Sequence, residues 1–216
     1  MTNFRQPIAI VIAVAFFITA SMPAGVSAIT VQEENELAKE FLQAVHQQYK
    51  IIKDPAIASY INKIGRRIVA ELPQQPFTYH FYVIEQDTYN AFAGPAGHIF
   101  VFSGLFEALD YEGELAALLA HEIAHASCRH ISEMIESSKK TSLGTLAGVV
   151  AGILVGLGGA STVGSAITIG SMAAGESAAL AYTREKEMQA DQIGREYLQE
   201  AGYDLHSMLS LLKTIR

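Results

Sequence analysis

Apolar side chains recur at helical spacing from residue 33 onward. Leu37, Phe41, Ala44 and Val45, continued by Gln48, share one face and predict a helix over 33–49. Asp54-Pro55 then supplies an N-cap and a first-turn proline. Ile57, Ile61, Ile64 and Ile68 line the apolar face of this second helix, which Leu72-Pro73 ends. The pattern changes at 77–85, FTYHFYVIE, and again at 98–104, HIFVFSG, where aromatic and β-branched residues predict strands. Between them NAFAGPAG reads as a Gly/Pro turn joining an antiparallel pair. Helical spacing returns over 110–137 and over 176–201, the latter closed by Gly202, and a short last helix is expected from Asp204. These elements amount to an α+β domain, mainly helical, with a small antiparallel sheet.

The helix over 110–137 carries LLAHEIAHASCRH, residues 118–130. His121 and His125 are four apart, so they stack on one face and can aim ring nitrogens at a single metal ion. Glu122 projects beside them, within reach of a water at that ion, as a general base. Zinc suits this work because it acidifies water and polarises a scissile carbonyl. The competing reading is two core histidines beside a solvated glutamate. It leaves Glu122 charged on an almost wholly apolar face with no obvious basic partner.

A catalytic zinc needs a third protein ligand and one open position. The metzincin arrangement, a histidine six residues after His125 and a glycine three after it, is excluded because those positions hold Ile131 and Cys128. His130 is one residue off and reads as a surface or helix-packing histidine. Cys128, the only cysteine, lies on the His121 face and reads as a small buried residue. The remaining source is a glutamate on a separate helix. YTREKEMQADQIG, 182–194, offers Glu187 as ligand and Asp191, four residues on, as the group that fixes a ligating histidine's tautomer. Ala190 is small enough for close approach to the first helix. A solvated charged helix is the alternative, and it suits Arg184, Glu185 and Lys186. The segment HIFVFSGLF, with His98, Ile99, Phe100 and Val101, either holds substrate as an added strand along a sheet edge or is a core strand. Asn90 either hydrogen-bonds substrate backbone or caps its turn.

Composition narrows the choice. A net charge of −7 over 216 residues, with no Lys/Arg run, excludes a nucleic-acid partner. At the N-terminus Arg5 precedes an apolar run from Ile8 to Ala20, and Val26-Ser27-Ala28 supplies small residues of a cleavage site. Residues 1–28 are therefore expected to be a signal peptide and 29–216 one exported domain. Residues 141–175 hold no charge in 35 positions, nine of them glycine, with Gly144, Gly148, Gly152 and Gly156 every fourth residue. One membrane crossing there would leave His121 and Glu187 on opposite sides of a bilayer, and a hairpin needs about 40 apolar residues plus a turn. The expectation is a Gly-rich helical cover over the active site, with an apolar face for unfolded protein or a membrane surface.

Three motifs in order, NAFAGPAGHIFVFSGL from Asn90, HEIAHASCRH from His121 and TREKEMQADQIG from Thr183, resemble the zinc metallopeptidases of the HtpX, BepA and CAAX prenyl protease type, peptidase family forty-eight. A weaker likeness covers the helix from Glu33 and GYDLHSM from Gly202. The resemblance implies a zincin-like (gluzincin) fold, zinc held by His121, His125 and Glu187, Glu122 as general base and Asp191 as orienting partner. It looks most like the periplasmic BepA-type branch, linked to quality control of outer-membrane proteins. Two departures stand out. Family members usually carry a Thr/Ser-His-Pro segment followed by arginine, and BepA-like proteins append a repeat domain; neither is found before Arg216, and His206 sits too early to replace that histidine. The expected activity is a zinc metalloendopeptidase on exported or envelope polypeptides. The alternative is a metal-containing chaperone for outer-membrane precursors with little proteolysis.

Overall fold

The computed structural model describes residues 29–140 and 184–214, so the expectations for 1–28 and for the cover at 141–175 lie outside the described residues. Helix α1 spans Val31–Gln48, opened by a capping box in which Thr30 and Glu33 satisfy each other's backbone N–H groups. Its buried face carries Leu37, Phe41 and Val45, while Gln48 is exposed. Helix α2 spans Pro55–Val69, and the Asp54 carboxylate accepts the N–H groups of Ala56 and Ile57 as the sequence predicts.

The sheet has three strands, β1 (His80–Ile84), β2 (Ala91–Ala93) and β3 (His98–Phe102), in the order β1-β3-β2. The expected antiparallel pairing of β1 with β3 is corrected here: they run parallel, His80 opposite His98 and Ile84 opposite Phe102. The Gly/Pro turn does join an antiparallel pair, but that pair is β2 and β3. Thirteen residues separate Ile84 from His98, enough for the crossover a parallel pair requires, and β2 lies within that connection.

Alternation along each strand explains why all three are mostly apolar. Phe81, Val83, Ala91, Ala93, Ile99 and Val101 join the core cluster that includes Ile61, Ile64 and Leu118. Ile84, Phe92, Phe100 and Phe102 instead join Leu37, Phe41, Ile131 and Ile135. The sheet is thus a middle layer covered on both faces, the environment in which strands read as continuous hydrophobic runs.

The helix predicted over 110–137 is two helices. After the short helix α3 (Gly104–Ala108), α4 spans Glu112–Ser127 and α5 spans His130–Lys140. The break falls at Arg129, whose φ is +58°, a conformation costly for a residue with a Cβ. A second such residue, Ala96, has φ +53° in the turn before β3. One buried carboxylate holds both. Glu34 of α1 accepts the Ala96 N–H at 3.1 Å and the Arg129 Nε–H at 2.6 Å. Arg129 also donates to the Ile29 carbonyl. Helix α6 spans Arg184–Glu200, packs chiefly against α4, and is followed by α7, His206–Thr214. No described helix is long and apolar enough to cross a membrane.

Candidate metal centre

Helix α4 is largely apolar and buried, and three of its polar residues, His121, Glu122 and His125, gather in its second half. His125 and Glu122 are buried and His121 is 17% exposed. The four-residue spacing brings the two Nε2 atoms to 3.1 Å. Across from them, Glu187 on α6 sets Oε2 3.7 Å from His121 Nε2 and Oε1 3.7 Å from His125 Nε2. Tetrahedral ligation at the usual zinc–nitrogen distance separates donors by about 3.3 Å. Two imidazole nitrogens and a carboxylate at 3.1–3.7 Å therefore fit a divalent ion with little adjustment. Among the described residues this is the one His/Cys/Asp/Glu group so converged. Cys128 is half-buried and outside it, in keeping with a packing role.

Close helix approach creates the cluster. Ala190 is fully buried, as its size predicts, and Gly194 goes further. A Cβ added at Gly194 would lie 3.0 Å from both the Ala120 carbonyl oxygen and His121 Cα, so α6 sits directly on the α4 backbone where the ligands emerge. Asp191, on the same helix, accepts from His121 Nδ1 at 3.0 Å and leaves Nε2 to face Glu187.

Burial and close approach make the groups perturb one another. Burial pushes the Glu122 carboxyl up to about 7, and Glu187 adds to this, while His121 and a hydrogen bond from the Ala93 backbone oppose it. A base poised near neutrality is suited to moving a proton at physiological pH. Glu187 is also raised, by burial first and then by Asp191. Burial and neighbouring His121 and His130 drive His125 down to about 2, keeping its ring neutral and able to ligate. For His121 burial acts downward, but the Asp191 hydrogen bond and the surrounding carboxylates outweigh it and the net shift is upward.

The substrate-binding expectation fares differently. β3 is the central strand and offers no open edge: Ile99, Phe100 and Val101 are fully buried, and His98 receives the Tyr82 hydroxyl at Nδ1. An added strand along His98–Phe102 is therefore corrected, because β1 and β2 already occupy both sides. The edge nearest the centre belongs to β2, whose Ala93 contacts Glu122. Asn90 immediately precedes it, and its carbonyl accepts the Phe102 N–H at 2.9 Å.

Of the two readings of His130, surface or helix-packing, the structure removes the surface one. The residue is buried, 2% exposed, with Nδ1 3.0 Å from His125 Nδ1. On an unbroken helix a residue five positions after His125 points away from it, and no local signal marks the turn at Arg129.

Comparison with known proteins agrees with this geometry. Residues 53–215 match peptidase family M48. The chain is 31% identical over 194 residues to the beta-barrel assembly-enhancing protease of Yersinia pestis, covering 87% of this chain and 38% of that protein. To the protein of the same name in Escherichia coli K12 it is 29% identical over 189 residues, covering 88% and 39%. The mitochondrial metalloendopeptidase OMA1 of Schizosaccharomyces pombe is 31% identical over 117 residues, or 53% of this chain and 35% of that one. The chain thus spans about two-fifths of the length of these two beta-barrel assembly-enhancing proteases. The matched region runs through both helices that carry the His-His-Glu group, and the chain belongs to peptidase family M48, a family of metallopeptidases.

Proposed function

We propose that the protein is a zinc-dependent endopeptidase that hydrolyses exported or cell-envelope polypeptides in the periplasm, reached through cleavage of residues 1–28. The observation that carries the reading is the convergence of His121, His125 and Glu187 beside a buried Glu122. The donor set, two imidazoles and one carboxylate, is that of catalytic zinc. When bound there, zinc supplies the positive charge that polarises a peptide carbonyl and acidifies water.

The protein's own residues do the rest. Glu122, buried beside the ligands, takes the proton from the attacking water and returns it to the departing amine nitrogen. Asp191 holds the His121 ring in one tautomer and one orientation. A substrate lying extended beside the β2 edge, next to Asn90, is held by main-chain hydrogen bonds that are indifferent to side chains. Its carbonyl then arrives beside Glu122, because Ala93 already touches that carboxylate. Such tolerance suits unfolded proteins. The relatives' name, beta-barrel assembly-enhancing protease, supports a role in outer-membrane protein quality control. The uncharged, glycine-rich composition of residues 141–175 supports contact with unfolded chains or the membrane surface.

The test is cleavage of an unfolded protein by the mature chain before and after chelation. Activity lost on chelation and restored by zinc supports the reading. Binding of the unfolded protein without cleavage, at full zinc occupancy, favours the chaperone alternative.

A further inference from the structure

Both ligating histidines have their far ring nitrogen held, but by different means. His121 uses a carboxylate, Asp191, whose side chain is 61% exposed. His125 faces another imidazole, His130, with the two Nδ1 atoms 3.0 Å apart and the rings edge-on at 76°. The second ring nitrogen of His130 lies 3.0 Å from Oε1 of Gln189, two residues beyond Glu187 on α6. Three helices therefore meet in one line of polar contacts running α4, α5, α6.

The proton positions along that line follow from the metal centre. His125 directs Nε2 at His121 and Glu187, so Nε2 must be bare to bind a cation. A neutral ring with bare Nε2 carries its proton on Nδ1. That N–H points at His130 Nδ1, which must accept. His130 then holds its own proton on Nε2 and donates it to the Gln189 carbonyl oxygen. A single tautomer assignment satisfies both contacts, and Gln189, which can present an acceptor but carries no charge, terminates it.

We propose that His130 is a positioning residue for the metal centre: through its Nδ1 it fixes the tautomer and ring orientation of His125, and through Gln189 it ties that orientation to the helix carrying Glu187. The proposal rests on the reading of His121, His125 and Glu187 as the metal ligands. The turn at Arg129 gains a purpose from it, since only a break immediately after α4 brings residue 130 back beneath residue 125. A packing histidine needs bulk alone; a positioning one needs an acceptor at one particular nitrogen.

The experiment compares zinc binding by the full chain and its His130→Phe, His130→Asn and Gln189→Leu variants, by competition with a chromophoric chelator and by the visible spectrum of the cobalt(II) form. Phenylalanine keeps the bulk and removes the acceptor; it is expected to weaken zinc binding about 10- to 100-fold and shift the cobalt bands. Asparagine places an oxygen near the position of Nδ1 and is expected to recover most of that loss. Gln189→Leu, at an exposed position, is expected to weaken binding several-fold, and it carries the test should His130→Phe fail to fold. Long-range proton–nitrogen NMR of the zinc-loaded chain is expected to find the His130 proton on Nε2. Zinc affinity and cobalt spectra unchanged in folded His130→Phe, or unchanged in Gln189→Leu with the His130 proton on Nδ1, overturn the proposal. If the unmodified chain takes up no zinc, the metal-centre reading itself fails and the proposal falls with it.

Discussion

Helix α4 separates two buried polar regions built on opposite principles. Beyond its C-terminal end, Glu34 meets a guanidinium and a backbone N–H, and Arg129 passes the contact on to the Ile29 carbonyl. Along its C-terminal half, Glu122, Glu187, Asp191 and three histidines face chiefly one another. The first region satisfies its charge from within the protein and can therefore hold two residues at unfavourable positive φ. In the second, burial raises Glu122 and Glu187 and lowers His125, as suits a site arranged for a cation rather than for stability. The contrast separates what holds the fold from what is kept ready for a ligand.

The comparison breaks most readily at Glu34. Glu34→Ala leaves Arg129 without its carboxylate and Ala96 without an acceptor. It is expected to cost about 3 kcal/mol of unfolding free energy, read by denaturant titration of zinc-free protein. Asp191→Asn, by contrast, is expected to leave zinc-free stability almost unchanged, because the Asp191 side chain is largely exposed. Its effect belongs to the metal, about 10-fold weaker zinc binding or more by chelator competition. If Asp191→Asn destabilised the zinc-free fold as much as Glu34→Ala does, the division between the two regions would not hold.

Gly194→Ala tests the join between the helices. Backbone atoms 3.0 Å from the new Cβ must give by a few tenths of an ångström, which pushes α6 off α4; a loss of about 1–3 kcal/mol is expected, together with weaker zinc binding. At neutral pH the smallest effect is expected in the sheet. Burial, then His80, pushes His98 down to about 4 from its usual 6.5. Between those values the unfolded chain binds a proton that the folded chain refuses, so stability falls as pH drops from about 6.5 towards 4 and is indifferent to this group above that range. Denaturant midpoints of zinc-free protein across this window are expected to slope less in His98→Gln than in the unmodified chain.

The features legible in the sequence are those fixed by near neighbours. Asp54-Pro55 caps α2 through contacts two and three residues away, and the ligand pair His121/His125 needs only one turn of helix. Glu187 and Asp191 were recognisable as a pair because their four-residue spacing shares a face. Distant partners were not legible. The break at Arg129 depends on Glu34, 95 residues away, and without that break His130 cannot be placed beside His125. The strand pairing failed for a related reason. A Gly/Pro turn before β3 signals an antiparallel neighbour correctly, but the neighbour is the three-residue β2 hidden in the same motif, and β1 passes beyond it. Strands covered on both faces carry no polar alternation that would reveal their order.

The central claim is that Glu122 does the proton chemistry at a centre whose metal is held by other residues. Glu122→Gln keeps the shape of the side chain and all three ligands while removing the base. Zinc content and cleavage of an unfolded protein, measured on the same preparation, test the claim most directly. The expected result is one zinc per chain, as in the unmodified protein, with cleavage reduced about 100- to 10,000-fold. Full zinc with undiminished cleavage would contradict it.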